Sequence, residues 1–152
     1  MSRFSVAGRS AASGANIDDV GVHLWNPHAT ISIYVREVWG FKTVATVDNQ
    51  ALVRTTTIGT TPGTTVTPDL DNHFARRYAP ISGATMYLQG FATEPVVAGP
   101  YMMRTNLPAA IGAGFIWVFS EPLEVPAGTG LAVVTPVAVI LQPADYTYVW
   151  DE

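Results

Sequence analysis

Gly114–Val139, GFIWVFSEPLEVPAGTGLAVVTPVAV, decides the fold. Phe115, Ile116, Trp117, Val118 and Phe119 are aromatic or β-branched without a break, the pattern of a strand buried on both faces. Leu123 and Val125 then alternate with polar or small neighbours. Pro126, Gly128 and Gly130 force a reversal, and Leu131, Val133 and Val134 begin a return strand. The stretch reads as an apolar hairpin whose signal is architectural, and it tilts the reading away from an enzyme.

Working outward, most of the chain carries the same signal. Ile31, Ile33 and Val35 alternate with Ser32, Tyr34 and Arg36, so 29–45 reads as a strand, with a bulge near Arg36–Glu37 or a turn at Gly40. Further strands are expected over 51–58, 84–91, 101–106 and 146–150. Thr fills 8 of the 13 positions from 55 to 67, broken by Gly59, Pro62 and Gly63, which reads as strand, turn and strand. One helix is expected over 68–77, capped by Thr67 and started by Pro68, with Asp69 and Asp71 at its positive end and Arg76 and Arg77 at its negative end. Seven to nine strands at regular spacing predict an all-β sandwich or barrel. Residues 1–20, rich in Ser, Ala and Gly, read as an N-terminal arm. It is either loose or ordered against a neighbour through Phe4 and Val6, and 21–152 form one β-sandwich domain.

Composition bounds the function. The 152 residues suffice for one domain with a full core, and charged residues make up only 13%, about half the usual share. A surface so short of charge suits burial against other protein. The net charge is −4, with 7 Arg and a single Lys. No basic stripe is present, so nucleic acid is not an expected partner. No cysteine is present, which removes disulfides, thiolate catalysis and Cys–metal sites. The start lacks the apolar core of a signal peptide. The longest apolar stretch, 131–141, is too short to span a bilayer, so no membrane partner is expected.

Candidate chemistry is thin. His23 and His28 are separated by five positions with Pro27 between, and His73 stands apart. The paired motifs of a cupin are missing, so a cupin-like metal enzyme is a minor alternative. Asp69, Asp71 and Asn72 faintly suggest calcium, but helix capping accounts for the two Asp equally well. Glu121 and Glu124 flank Pro122 and are expected on solvent rather than as a glycosidase pair. No catalytic, metal or cofactor residue is therefore assigned. Trp117 reads as core, and Trp25 and Trp150 read as interface anchors, core edges or sugar-stacking platforms.

SRFSVAGRSAASG (2–14), ATISIYVREVWGFKTVA (29–45) and EPLEVPAGTGLAVVTP (121–136) together resemble small jelly-roll proteins of tailed bacteriophages. Members of that group coat the outside of the capsid as decoration, or cement, proteins. The resemblance implies a jelly-roll-like sandwich of about eight antiparallel strands. It implies a structural role without catalysis, located on the outer surface of the virion. The implied partners are the major capsid protein and further copies of the chain, with a trimer as the first choice. The expected contact residues are Arg3, Phe4 and Arg9 in the arm, Trp25, and Arg76 and Arg77 at the end of the helix, or else one loop end of the sandwich. A fibre knob or a sugar-binding jelly roll is the alternative.

Overall fold

The computed structural model describes residues 2–70 and 82–152. Eleven strands are present among them. They are β1 (Arg3–Arg9), β2 (Val20–Asn26), β3 (Ile33–Lys42), β4 (Asp48–Thr55), β5 (Thr64–Val66), β6 (Asp69–Leu70), β7 (Thr85–Leu88), β8 (Val97–Leu107), β9 (Gly114–Val125), β10 (Thr129–Val134) and β11 (Ala144–Asp151). All pairings are antiparallel, and they nest. β1 pairs with β11, β2 with β10, β3 with β9, β4 with β8 and β5 with β7. The chain is thus one long hairpin that has been rolled up. Rolling adds the contacts β11–β3, β10–β4, β2–β7 and β1–β6. The product is a jelly-roll-like sandwich of two sheets, ordered β6-β1-β11-β3-β9 and β5-β7-β2-β10-β4-β8.

The core lies between the sheets. Phe4, Val35, Trp117, Tyr148 and Trp150 from the first sheet meet Val22, Leu24, Leu52, Met86 and Leu131 from the second. Tyr148 crosses the gap and donates its hydroxyl to the Leu131 carbonyl at 3.2 Å, which satisfies a polar group that burial would otherwise penalise. A second, smaller cluster lies on the outer face of the six-stranded sheet. Val20, Ala51, Val53, Ala132 and Val134 are buried there beneath Phe91, Val97 and Tyr101. β2, β4 and β10 are therefore covered on both faces.

Four sequence expectations change. The strands buried on both faces are not β9 but its successor β10, β4 and the unanticipated β2. β9 is an edge strand, and Ile116 and Val118 on its outer face are 54% and 65% exposed. The expected hairpin is also absent, because β9 and β10 lie in different sheets and the Pro126–Gly130 turn carries the chain across the sandwich. Gly130 is required there by close approach, since a Cβ would stand 2.6 Å from the Leu24 carbonyl oxygen and 2.8 Å from Thr55 Oγ1. Residues 3–9 are not an arm: they form β1, paired along its length with β11, because Phe4 and Val6 alternate into the core. The helix expected over 68–77 does not start at Pro68, since Asp69–Leu70 form β6 beside Phe4 and Ser5 of β1. The remainder of that helix lies outside the described residues. The anticipated irregularity in β3 is present as a register shift between Val35 and Glu37.

Candidate interaction surface

Strand direction places four connections at one end of the sandwich. Loops 10–19, 43–47, 108–113 and 135–143 all emerge beside the ends of β1, β3, β8 and β10. Ile17, Val47, Ile111, Val139 and Ile140 on these loops are exposed, Ile111 at 73%. They are five of the twelve large apolar side chains exposed among the described residues. The four loops contain no Lys or Arg, and their only charged residues are Asp18 and Asp19. Both are turned inward. Asp19 is buried and accepts the Asn16 N–H at 2.9 Å, and Asp18 accepts the Tyr101 hydroxyl at 2.5 Å. The four loops present no outward charge, and the exposed charges nearest them, Arg9 and Asp145 at the adjoining strand ends, pair with each other.

The loops are fastened to one another. Ser13 and Leu141 exchange two hydrogen bonds, from the Ser13 N–H to the Leu141 carbonyl and from the Leu141 N–H to Ser13 Oγ, each 3.0 Å. The Asp18 N–H reaches the Thr135 carbonyl at 2.8 Å, and the Thr43 N–H reaches the Pro143 carbonyl at 3.0 Å. Beneath them Lys42, the single lysine, is buried and donates its ammonium to the carbonyls of Thr46 and Pro108, tying two loops together. Asp48 is buried beside it and accepts from the Gln50 side chain at 2.7 Å and from the Asn49 N–H at 2.9 Å. Burial pushes the Asp48 carboxyl above its ordinary range. Two buried charged residues thus brace an apolar tip.

Two further titratable groups are shifted by burial. Glu94 accepts the Val20 N–H at 3.2 Å. Burial, reinforced by the nearby Asp19 charge, raises Glu94 to about 7. His23 is wholly buried among Trp25, Tyr87 and Phe91. Its Nε2 lies 2.8 Å from Thr55 Oγ1, and desolvation lowers the imidazole to about 3, so it is neutral in the folded protein.

The contact residues expected from sequence do not converge. Arg3 pairs with Asp151 at 3.1 Å, and Arg9 makes a two-pronged pair with Asp145 at 2.6 and 2.8 Å, at opposite ends of β1. Phe4 is 2% exposed and belongs to the core, which corrects its expected contact role. Trp25 is half-buried beside His23 on the outer face of the other sheet. Arg76 and Arg77 lie outside the described residues, as do Asp71, Asn72 and His73. His28 lies 2.5 Å from the Glu152 carboxylate, whereas Glu124 accepts from Ser32 Oγ at 2.7 Å. Among the described residues no group of three or more His, Asp or Glu is placed to hold a metal. A crevice of about 290 Å³ opens at the opposite end, lined by Arg54, Thr55, Thr56, Ala98, Glu124, Pro126 and Thr129. Trp25, considered above as a sugar platform, does not line it.

The aliphatic loop residues were not singled out from sequence. Ile17, Val47 and Ile111 are isolated apolar positions in loops, Val139 and Ile140 belong to the apolar run 131–141 read above only for its length, and the strand order brings all five to one end.

Comparison with protein-family models, with curated proteins and with solved structures finds no match to this chain.

Proposed function

We propose that this chain is a structural protein of a tailed-phage virion that decorates the outer surface of the capsid, binding the major capsid protein through its aliphatic loop end and associating with its own copies. The observation that carries the reading is that loop end. Five exposed aliphatic side chains share one surface whose charges point inward. Such a patch is unfavourable in water and gains free energy when covered by another protein. Its cross-tied backbone loses little conformational freedom on docking. Copies repeated around a shell turn modest individual contacts into high avidity. The lack of Lys and Arg on the loops disfavours the alternatives of nucleic acid and anionic lipid, which are held by cationic side chains. The class of partner comes from the resemblance of three segments to capsid decoration proteins.

Co-sedimentation of the purified protein with empty, undecorated shells of the encoding phage tests this. The wild type pellets with the shells to saturation. Ile111→Asp and Ile140→Asp each weaken binding by about 10-fold or more, with an unchanged thermal midpoint. Wild-type protein that stays in the supernatant, or loop variants that bind equally well, contradict the proposal.

A further inference from the structure

The two sheets have four edge strands, and they are not equally protected. β5 is three residues long, and β6 pairs with β1 over two residues. β8 carries Gly99, Pro100 and Arg104 and shifts register against β4 between Leu52 and Arg54. Short length, proline, charge and bulges are the devices that keep an edge from pairing. The second half of β9 has them too, in Glu121, Pro122 and Glu124. The first half, Gly114–Ser120, has none. It contains no charged residue and no proline, its ladder partner on one side is β3, and on its other side no strand stands among the described residues. Alternate backbone N–H and C=O groups there point away from the sheet without a strand to receive them. Beside this open edge, the outward side chains Ile116 and Val118 are exposed; Trp39 and Phe41 of β3 continue the apolar strip beside Ile116 and Gly114, while Glu37, which accepts the Trp39 indole N–H at 2.9 Å, stands opposite Val118.

The geometry points to a second copy of this chain as the strand that covers Gly114–Ser120, paired antiparallel with its own β9 about a two-fold axis. Open backbone groups demand a β-strand, and an uncharged apolar face demands one that is equally uncharged. β9 itself meets both conditions. Centring the pair on Trp117 places Ile116 of one copy opposite Val118 of the other and Gly114 opposite Ser120. Every residue then keeps its face, and the cross-strand apolar pairs form twice. In the antiparallel arrangement the two Glu121 lie at opposite ends of the seam, whereas a parallel one would set them side by side. The two five-stranded sheets become one continuous sheet, and the two loop ends stay free at opposite ends of the dimer, so that each dimer seats one of them on a shell. The symmetry is two-fold rather than the three-fold first expected. This inference rests on the self-association in the proposed function, but its test contains no capsid, so loss of shell binding and loss of dimerisation are read separately.

The test is the mass of the purified protein by sedimentation equilibrium from 1 to 100 µM, concentrations about the range of weak to moderate homodimers. The wild type sediments as a dimer. The double variant Ile116→Lys/Val118→Lys sets like charges opposite each other twice, and its dimer dissociation constant rises by about 100-fold or more, with an unchanged circular dichroism spectrum. A second variant, Ile116→Glu/Val118→Glu, is equally monomeric alone, and mixing the two restores a heterodimer. That rescue cannot come from a misfolded chain. A monomeric wild type, or an oligomer of any order indifferent to the lysine pair, overturns the inference.

Discussion

Phe4 stacks on Trp150 with ring centroids 5.9 Å apart and planes 23° from parallel, so the third residue from one end of the described chain and the third from the other end share one core. Both rings are shielded from water. Phe4→Ala removes a buried aromatic and leaves a cavity, at a cost of about 3–5 kcal/mol, measured by urea unfolding. Removal of residues 1–14 takes away β1 with its full ladder to β11 and should prevent cooperative folding. Such a truncation is therefore not a selective test of capsid contact, contrary to the expectation of a separable arm.

Glu94 titrates near 7 in the folded protein against an ordinary value of 4.5. The folded state holds this proton more tightly, so the associated stability is present below about pH 4.5 and is lost as pH rises through 7. Glu94→Gln keeps an acceptor for the Val20 N–H without the charge. It should raise stability at pH 8 by about 1 kcal/mol, an amount reduced by solvent screening of a half-buried group, and should change little at pH 4. Equal effects at both pH values would refute the charged, desolvated carboxylate.

His23 shifts the other way, from 6.5 to about 3. Its contribution is present above pH 6.5 and is lost as pH falls from 6.5 towards 3. In the Glu94→Gln background, which removes the opposing titration, stability should fall by about 1 kcal/mol per pH unit below 6.5. His23→Leu should flatten that limb. Thermal melts at half-unit intervals give the slope directly, and a slope that survives His23→Leu assigns the protons elsewhere.

Gly130 has no room for a methyl group, because Leu24 and Thr55 stand against it, whereas nothing stands within 4 Å of the Cβ position of Gly128. Gly130→Ala should cost about 2 kcal/mol through overpacking. Gly128→Ala, which suffers only its left-handed φ of 68°, should cost about 1 kcal/mol. Calorimetric melting of the two variants ranks them, and the reverse order would remove the close-approach account of the turn.

Period-two alternation made most of the fold legible. It located β3, β4, β7, β8 and β11, together with the bulge before Glu37, because a half-buried strand writes its two faces into alternate residues. It misjudged β9. An unbroken apolar run reads the same whether a second layer of this chain covers it or nothing in this chain does, and Ile116 and Val118 are the second case. It passed over β2, where His23 and Asn26 looked like surface or ligand residues. His23 is buried because Trp25, Tyr87 and Phe91 surround its ring, and Asn26 because its side-chain amide donates to the Ile31 and Val125 carbonyls, contacts that include residues far apart in sequence. The Pro126–Gly130 turn was recognised as a reversal, but local sequence does not distinguish a turn within one sheet from a crossing between two. The loop end was invisible for a related reason. Ile17, Val47, Ile111 and Ile140 come from four separate connections, and only the nested pairing of the strands collects them.

Hydrogen exchange on the protein, free and bound to undecorated shells, tests the central claim most directly. The account predicts that binding slows amide exchange in 43–47, 108–113 and 135–143 and leaves 27–32 and 126–128, at the opposite end, unchanged. Protection confined to the opposite end, or exchange identical with and without shells, would contradict it.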